Sequence, residues 1–159
     1  LPRVSHEVKP SAELLVVGVA SPILVGIYEN KKLRESFRSE EKMSKALPPI
    51  LHDVRYRYDL EALYYTKGPG SFMAIKVAYV MLQTFSTALN IPLYATDAFA
   101  FNDNAPIKAI GTSCFVKKGG AIVIEKGCPK TDSRFVLPAR LESEMFSDET
   151  DPLYILPAV

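Results

Sequence analysis

The stretch Tyr64-Tyr65-Thr66-Lys67-Gly68-Pro69-Gly70-Ser71-Phe72 constrains the fold more than any other part of the chain, because few backbone paths satisfy it. Aromatic residues run into a Gly-Pro-Gly turn, and an apolar run from Met73 to Leu89 begins directly after it. That order predicts a strand, a tight turn and a helix whose N-cap is Ser71, its hydroxyl accepting a free amide of the first turn. Such a turn has two readings. It can simply connect strand to helix. It can also receive an anion, since unpaired amides and the helix dipole point outward together.

The helix after Ser71 is unusually apolar: between Met73 and Leu89 its only charged residue is Lys76. At about 100° per residue, Ala74, Ile75, Ala78, Leu82, Phe85 and Leu89 share one stripe, which should face a sheet. Lys76, Gln83 and Thr87 fall toward solvent. Met73, Val77 and Val80, continued by Thr84, form a further strip turned away from the sheet. Either the rest of the chain covers that strip or a partner does, and an uncovered strip marks an interaction surface.

On the N-terminal side, Leu14 to Ala20 reads as a buried strand, Ile23 to Tyr28 as a second and Leu33 to Arg38 as an edge-like third. The short links imply an antiparallel meander. Ser39-Glu40-Glu41 is expected to open a helix with Met43, Ala46, Leu47, Ile50, Leu51 and Val54 at helical spacing, kinked or restarted at Pro48-Pro49. Its end, Arg55-Tyr56-Arg57-Tyr58, is either a solvated helix terminus or an aromatic and basic tail able to stack on RNA. Ala62 to Thr66 and Leu93 to Thr96 are further strands. They are joined through the helix after Ser71, and helix-linked strands run parallel. Asp97 caps a brief helical segment, Ala98 to Phe101.

The expected fold is therefore α/β: a ribonuclease-H-like lobe with a mixed five-stranded sheet over residues 14–105. Residues 1–13 are expected to be a flexible extension without a signal-like apolar centre. Residues 106–159 are expected to form a shortened C-terminal lobe. Within it, Ile107 to Gly111, Cys114 to Lys117 and Ala121 to Glu125 read as strands, with a hairpin turn at Lys118-Gly119-Gly120. Phe135 to Leu137 and Leu153 to Leu156 read as further strands, and Leu141 to Phe146 as a short helix.

Nineteen basic and eighteen acidic side chains leave a formal charge of +1, so no global field favours nucleic acid or membrane. Lys31-Lys32, Arg55, Arg57 and Lys117-Lys118 remain as a local RNA-binding alternative. Two histidines and two cysteines, Cys114 and Cys128, show no zinc spacing and do not make a disulfide framework; reduced thiols in a cytoplasmic setting are the expectation. No apolar run free of polar interruption reaches the roughly 18 residues that span a bilayer. A hydrolase would need a nucleophile beside a base. Ser71 is a candidate by location alone, and His52 would serve only if the fold brought it close.

Lys67-Gly68-Pro69-Gly70-Ser71-Phe72-Met73-Ala74-Ile75-Lys76-Val77 resembles the Gly-Pro-Gly-Ser-Phe-Thr-Gly-Leu-Arg signature of the TsaB (YeaZ) family. The likeness extends through Ala88-Leu89-Asn90-Ile91-Pro92-Leu93. Leu47-Pro48-Pro49-Ile50 is similar to the family's Leu-Pro helix, and Pro152-Leu153-Tyr154-Ile155-Leu156 to its C-terminal segment. The resemblance implies an actin-like ATPase (ASKHA) fold and a non-catalytic pseudoenzyme scaffold. That scaffold supports a TsaD-like paralogue in threonylcarbamoyl transfer to adenosine 37 of tRNA. It also implies a TsaE-like ATPase in the complex, ATP and magnesium used at the partner subunits, tRNA contacted indirectly, and a homodimer when alone. The implied partner-binding residues are Leu47, Ile50, Leu51, Met73, Lys76, Val77, Val80 and Thr84; the signature loop is Lys67 to Phe72. Departures count against bound ATP and independent catalysis. Gly18-Val19-Ala20 stands where Asp-Thr-Ala is common, Lys42 where many members have histidine, and Met73-Ala74-Ile75-Lys76 in place of Thr-Gly-Leu-Arg. The alternatives are a glycoprotease-type hydrolase and a stand-alone homodimeric interaction protein.

Overall fold

The computed structural model describes residues 8–109, 111–128 and 134–155. Five strands form a mixed sheet in the order β3-β2-β1-β4-β5. β1 (Ser11–Val17), β2 (Ile23–Glu29) and β3 (Lys32–Ser39) make the antiparallel meander. β4 (Asp59–Thr66) lies parallel to β1 and β5 (Leu93–Thr96) parallel to β4. The crossovers are α1 (Met43–Arg57) and α2 (Phe72–Leu89). This is the ribonuclease-H-like arrangement expected from the order of elements.

Alternation along the strands divides the apolar side chains between two faces. Leu14, Val16, Val25, Ile27, Leu63 and Tyr65 pack with Met43, Leu47, Leu51 and Val54 of α1 and Ile75, Ala78 and Leu82 of α2. Both helices therefore lie on one face. Leu15, Val17, Tyr28, Ala62 and Tyr64 occupy the other, against Phe101 and Leu141. Burial on both faces is why β1 and β4 read as near-continuous apolar runs rather than alternating ones.

A small antiparallel sheet follows: β6 (Ile107–Lys108), β7 (Cys114–Lys118) and β8 (Ala121–Glu125). Gly119 and Gly120 take positive φ in the hairpin turn, as anticipated. Ile107 and Phe115 join the helix-side core, so this sheet is anchored to the main body.

The C-terminal stretch then returns beneath the main sheet. The Leu33 amide donates to the Ala139 carbonyl at 2.9 Å, closing the outer edge of β3. Leu141 and Phe146 cover the second face. Ala95 and Ser147 exchange two bonds of 2.9 Å along the outer edge of β5. One segment thus caps both edges of the sheet, which would otherwise present unpaired backbone groups. Beyond it, Thr150 accepts from the Tyr65 hydroxyl, Glu149 from the Lys67 ammonium (2.8 Å), and the Leu153 amide donates to the Lys67 carbonyl (2.7 Å).

Several expectations are corrected. β1 starts at Ser11, inside the stretch assigned to a flexible extension, because Ser11 and Ala12 pair with Asp59 and Leu60. Glu13 is held there by the Tyr64 hydroxyl at 2.6 Å and by Lys31. Residues 1–7 lie outside the described residues. α1 opens at Met43 with Lys42 as its unbonded cap. Ser39 instead closes β3 opposite Ile23 and accepts from the Glu41 amide. α1 also runs unbroken through Pro48 and Pro49. Both prolines are exposed, as are Ser44 and Lys45, whose carbonyls lose their helical donors and can bond water instead. Phe135 to Leu137 and Leu153 to Ile155 are irregular, with Leu156 outside the described residues; Leu141 to Phe146 reduces to a 3-10 turn, Ser143–Met145. Residues 134–155 are thus a strap on the first lobe more than part of a second. Cys114 and Cys128, expected as free thiols, are joined in a disulfide. The hairpin brings residues 14 apart in sequence to a Cα separation of 6.1 Å.

Candidate partner-docking face at the signature turn

The turn between β4 and α2 is packed from two sides. A Cβ on Gly68, whose φ is +131°, would lie 2.7 Å from the Leu153 carbonyl oxygen. A Cβ on Gly70 would lie 2.4 Å from the carbonyl oxygen of Val19. Glycine is required at both because neighbouring backbone occupies the space. The Lys67 amide donates to Thr96 (3.0 Å), the Ser71 amide to Val19 (2.8 Å), and the Gly68 carbonyl accepts from Ala98 (2.8 Å). Ser71 is the N-cap of α2, accepting the Ala74 amide at a long 3.5 Å.

This wiring bears on the anion reading. The Ser71 amide is committed to Val19 and the Ala74 amide to the cap, while the Val19 carbonyl lies against Gly70 with its lone pairs. The nearby Gly18-Val19-Ala20 supplies no carboxylate for a metal-bound phosphate; a Cβ at Gly18 would strike the Met43 methyl at 2.2 Å. The residues at the turn form a joint that fixes the direction of α2.

α2 distributes its residues as its periodicity predicts. Ile75, Ala78 and Leu82 are buried, with Ala74, Phe85 and Leu89 partly buried beside them. Lys76, Gln83 and Thr87 are exposed. On the outer strip Met73 is 70% exposed and Val80 53%, Val77 is half-buried, and Thr84 returns its hydroxyl to the Val80 carbonyl at 2.8 Å. Phe72 lies against Tyr154, ring centroids 5.1 Å apart, leaving both part-exposed. Neither α1 nor the C-terminal strap covers Met73 or Val80.

α1 contributes less than expected. Leu47 and Leu51 are buried in the core with Met43 and Val54, because their i, i+4 spacing turns them to the sheet, so they shape the face without lying on it. Ile50 is half-buried at its margin. A cavity of about 410 Å³ separates the two helix starts, lined by Gly18, Lys42, Met43, Ser71, Met73 and Val77 among others.

The cations proposed for RNA are mostly neutralised. Lys31 pairs with Glu13 (2.7 Å), Lys117 with Asp97 (2.6 Å) and Lys118 with Glu125. Arg57 forks onto Glu35 at 2.6 and 2.8 Å and also reaches Asp53 at 2.7 Å. The Arg57 guanidinium, with the Tyr58 hydroxyl, holds the Glu35 carboxyl below its usual range. His52, the base considered for a hydrolase, is exposed on α1 and lines neither of two cavities beside Ser71. Sequence reading missed Val19, Leu153 and Tyr154 as parts of this site. The two glycines signal a close approach, but nothing local names what approaches.

Residues 36–101 match the family described as "TsaD: tRNA N6-adenosine threonylcarbamoyltransferase", a segment spanning α1, the signature turn and α2. No curated protein matches the chain. Among solved structures, an uncharacterized protein with similarity to peptidase YEAZ from Pseudomonas aeruginosa superposes with a TM-score of 0.59 at 16% identity, covering 73% of this chain and 67% of that one. YeaZ from Pseudomonas aeruginosa gives 0.57 at 18%, covering 72% of this chain and 64% of that one. The match thus spans about two thirds of the length of those proteins, and at such identities the likeness is one of fold. This chain has the fold of YeaZ, built around a central segment that matches the TsaD family.

Proposed function

We propose that this chain is a TsaB-like, non-catalytic subunit that binds a TsaD-like paralogue and so supports threonylcarbamoyl transfer to adenosine 37 of tRNA. The observation that carries the reading is the outer strip of α2, where Met73 and Val80 remain exposed on a helix whose opposite stripe is buried. Exposed apolar side chains lined up on a rigid helix favour a protein partner over a small polar substrate. The family match supports it, since the matched segment contains both helices. Met73, Lys76, Val77, Val80 and Thr84, with Ile50, are the docking set. In the absence of the paralogue the same strip pairs with a second copy, an isologous contact that buries it twice. ATP and magnesium act at the partner subunits and at a TsaE-like ATPase, and tRNA is met indirectly.

The experiment is size-exclusion chromatography with light scattering on the chain mixed with its cognate TsaD-like paralogue, alongside Val80→Glu. The expected outcome is a one-to-one complex that the variant loses while its melting temperature holds. Absence of any complex from two well-folded proteins would overturn the proposal.

A further inference from the structure

A second cavity, of about 550 Å³, opens on the other side of the signature turn, between the start of α2 and the small sheet β6–β8. Its wall is apolar for most of its extent: Val19, Phe72, Met73, Phe115, Ile124 and Ile155. The volume falls in the range of small-molecule sites, and a mostly apolar wall with few placed polar groups is their usual composition. Among the described residues on the wall, Lys108, at the end of β6, is the only charged one. Among the described residues it pairs with no carboxylate, unlike Lys31, Lys117 and Lys118. The side chain is exposed, so its ammonium is free to meet a ligand at the mouth.

We propose that this cleft binds a small amphipathic anion, an apolar body with one carboxylate in the size class of a medium-chain fatty acid. The apolar body fills the wall between Phe115 and Met73, where it leaves water. The carboxylate stays at the rim beside Lys108, so neither charge is buried. A polyphosphate or a sugar would leave most of its polar groups unpaired against such a wall. The site shares Met73 with the outer strip that carries the partner reading, but Val80 does not line it, so a change at Val80 tests the two apart.

The test is a fluorescence titration of the full chain with anilinonaphthalene sulfonate, followed by displacement with decanoate and with decanol. The expected result is one saturable probe site, displaced by decanoate about three-fold or more better than by decanol, as an exposed ion pair would give. Lys108→Glu should remove that preference without changing the melt, since the side chain is exposed. Ser113→Phe, which adds bulk to the wall, should weaken both competitors together. Val80→Glu should leave the probe in place even where it abolishes partner binding. The proposal is overturned by the absence of a saturable site, by equal displacement with Lys108→Glu silent, or by loss of the probe in Val80→Glu. The last outcome would place it on the helix face, where it reports an apolar partner surface.

Discussion

The carbonyl oxygen of Val19 accepts the amide of Ser71 at 2.8 Å, tying the link between β1 and β2 to the first residue before α2. This bond crosses from the meander to the helical crossover and uses a donor that an anion would need. It also brings Val19 so close to Gly70 that a side chain there has no room. The turn aims α2, and the outer strip of α2 points where the turn directs it.

Gly70→Ala should therefore be costly. Its Cβ would meet backbone, which cannot rotate aside, and overpacking of this kind costs about 1–3 kcal/mol. Gly119 is the control, with a positive φ but open space around it. There alanine should cost only the conformational penalty of about 1 kcal/mol. Urea unfolding of the two variants separates the cases, and equal losses would mean that Val19 yields easily.

Leu47→Ala and Val80→Glu should behave oppositely. Leu47 is wholly buried, so truncation should cost about 2–5 kcal/mol of stability. Val80 is exposed, so its replacement should stay within about 0.5 kcal/mol while association fails. Thermal melts run beside light scattering would distinguish them, and a destabilised but fully associating Val80→Glu would contradict the assignment.

Glu35 predicts a pH dependence. Its carboxyl is held below its usual range chiefly by the hydrogen bonds from Arg57. A depressed folded-state value means the stabilisation is complete above the ordinary carboxylate pKa and is lost as pH falls through the folded value. The pair is partly exposed, so its worth is about 1 kcal/mol at most and smaller in high salt. The stability gap between the native chain and Glu35→Gln should be present at neutral pH and close below about pH 4. A gap that widens in acid would reverse the sign.

The Cys114–Cys128 disulfide closes a short loop, its ends 14 positions apart in the chain. On the chain-entropy account its reduction should cost about 3 kcal/mol. Cys128 is partly exposed, so a dithiol can reach it. Urea unfolding with and without reductant should shift for the native chain and stay constant for the Cys114→Ser, Cys128→Ser double variant. No shift in the native chain would mean that the thiols are not joined in solution.

The expected elements held best where local patterns coincide with burial. β2, β5, α2 and the β7–β8 hairpin lie close to where their apolar runs and turn residues place them. α2 was legible in detail because its stripe repeats over five turns. α1 was legible in its core stripe but not in its start or continuity. Ser39 is a good helix cap in isolation, yet pairing with Ile23 holds it in β3. Two prolines break most helices, yet here the orphaned carbonyls face solvent. Of the residues expected on a partner face, Met73 and Val80 are exposed as the helical wheel places them, while Leu47 and Leu51 are buried in the core.

The amino-acid order by itself determined the meander followed by helix-linked strands, the glycine turn and the two-sided apolar character of α2. Those follow from periodicity and backbone restriction, which act over a few residues. Only the tertiary structure decided that Val19 and Leu153 fill the space beside the turn, that residues 134–155 strap both sheet edges, and that Cys114 meets Cys128. Each of these joins segments far apart in the chain or brought together by a reversal. Contact of that kind depends on where the whole backbone has gone, and no local pattern carries it.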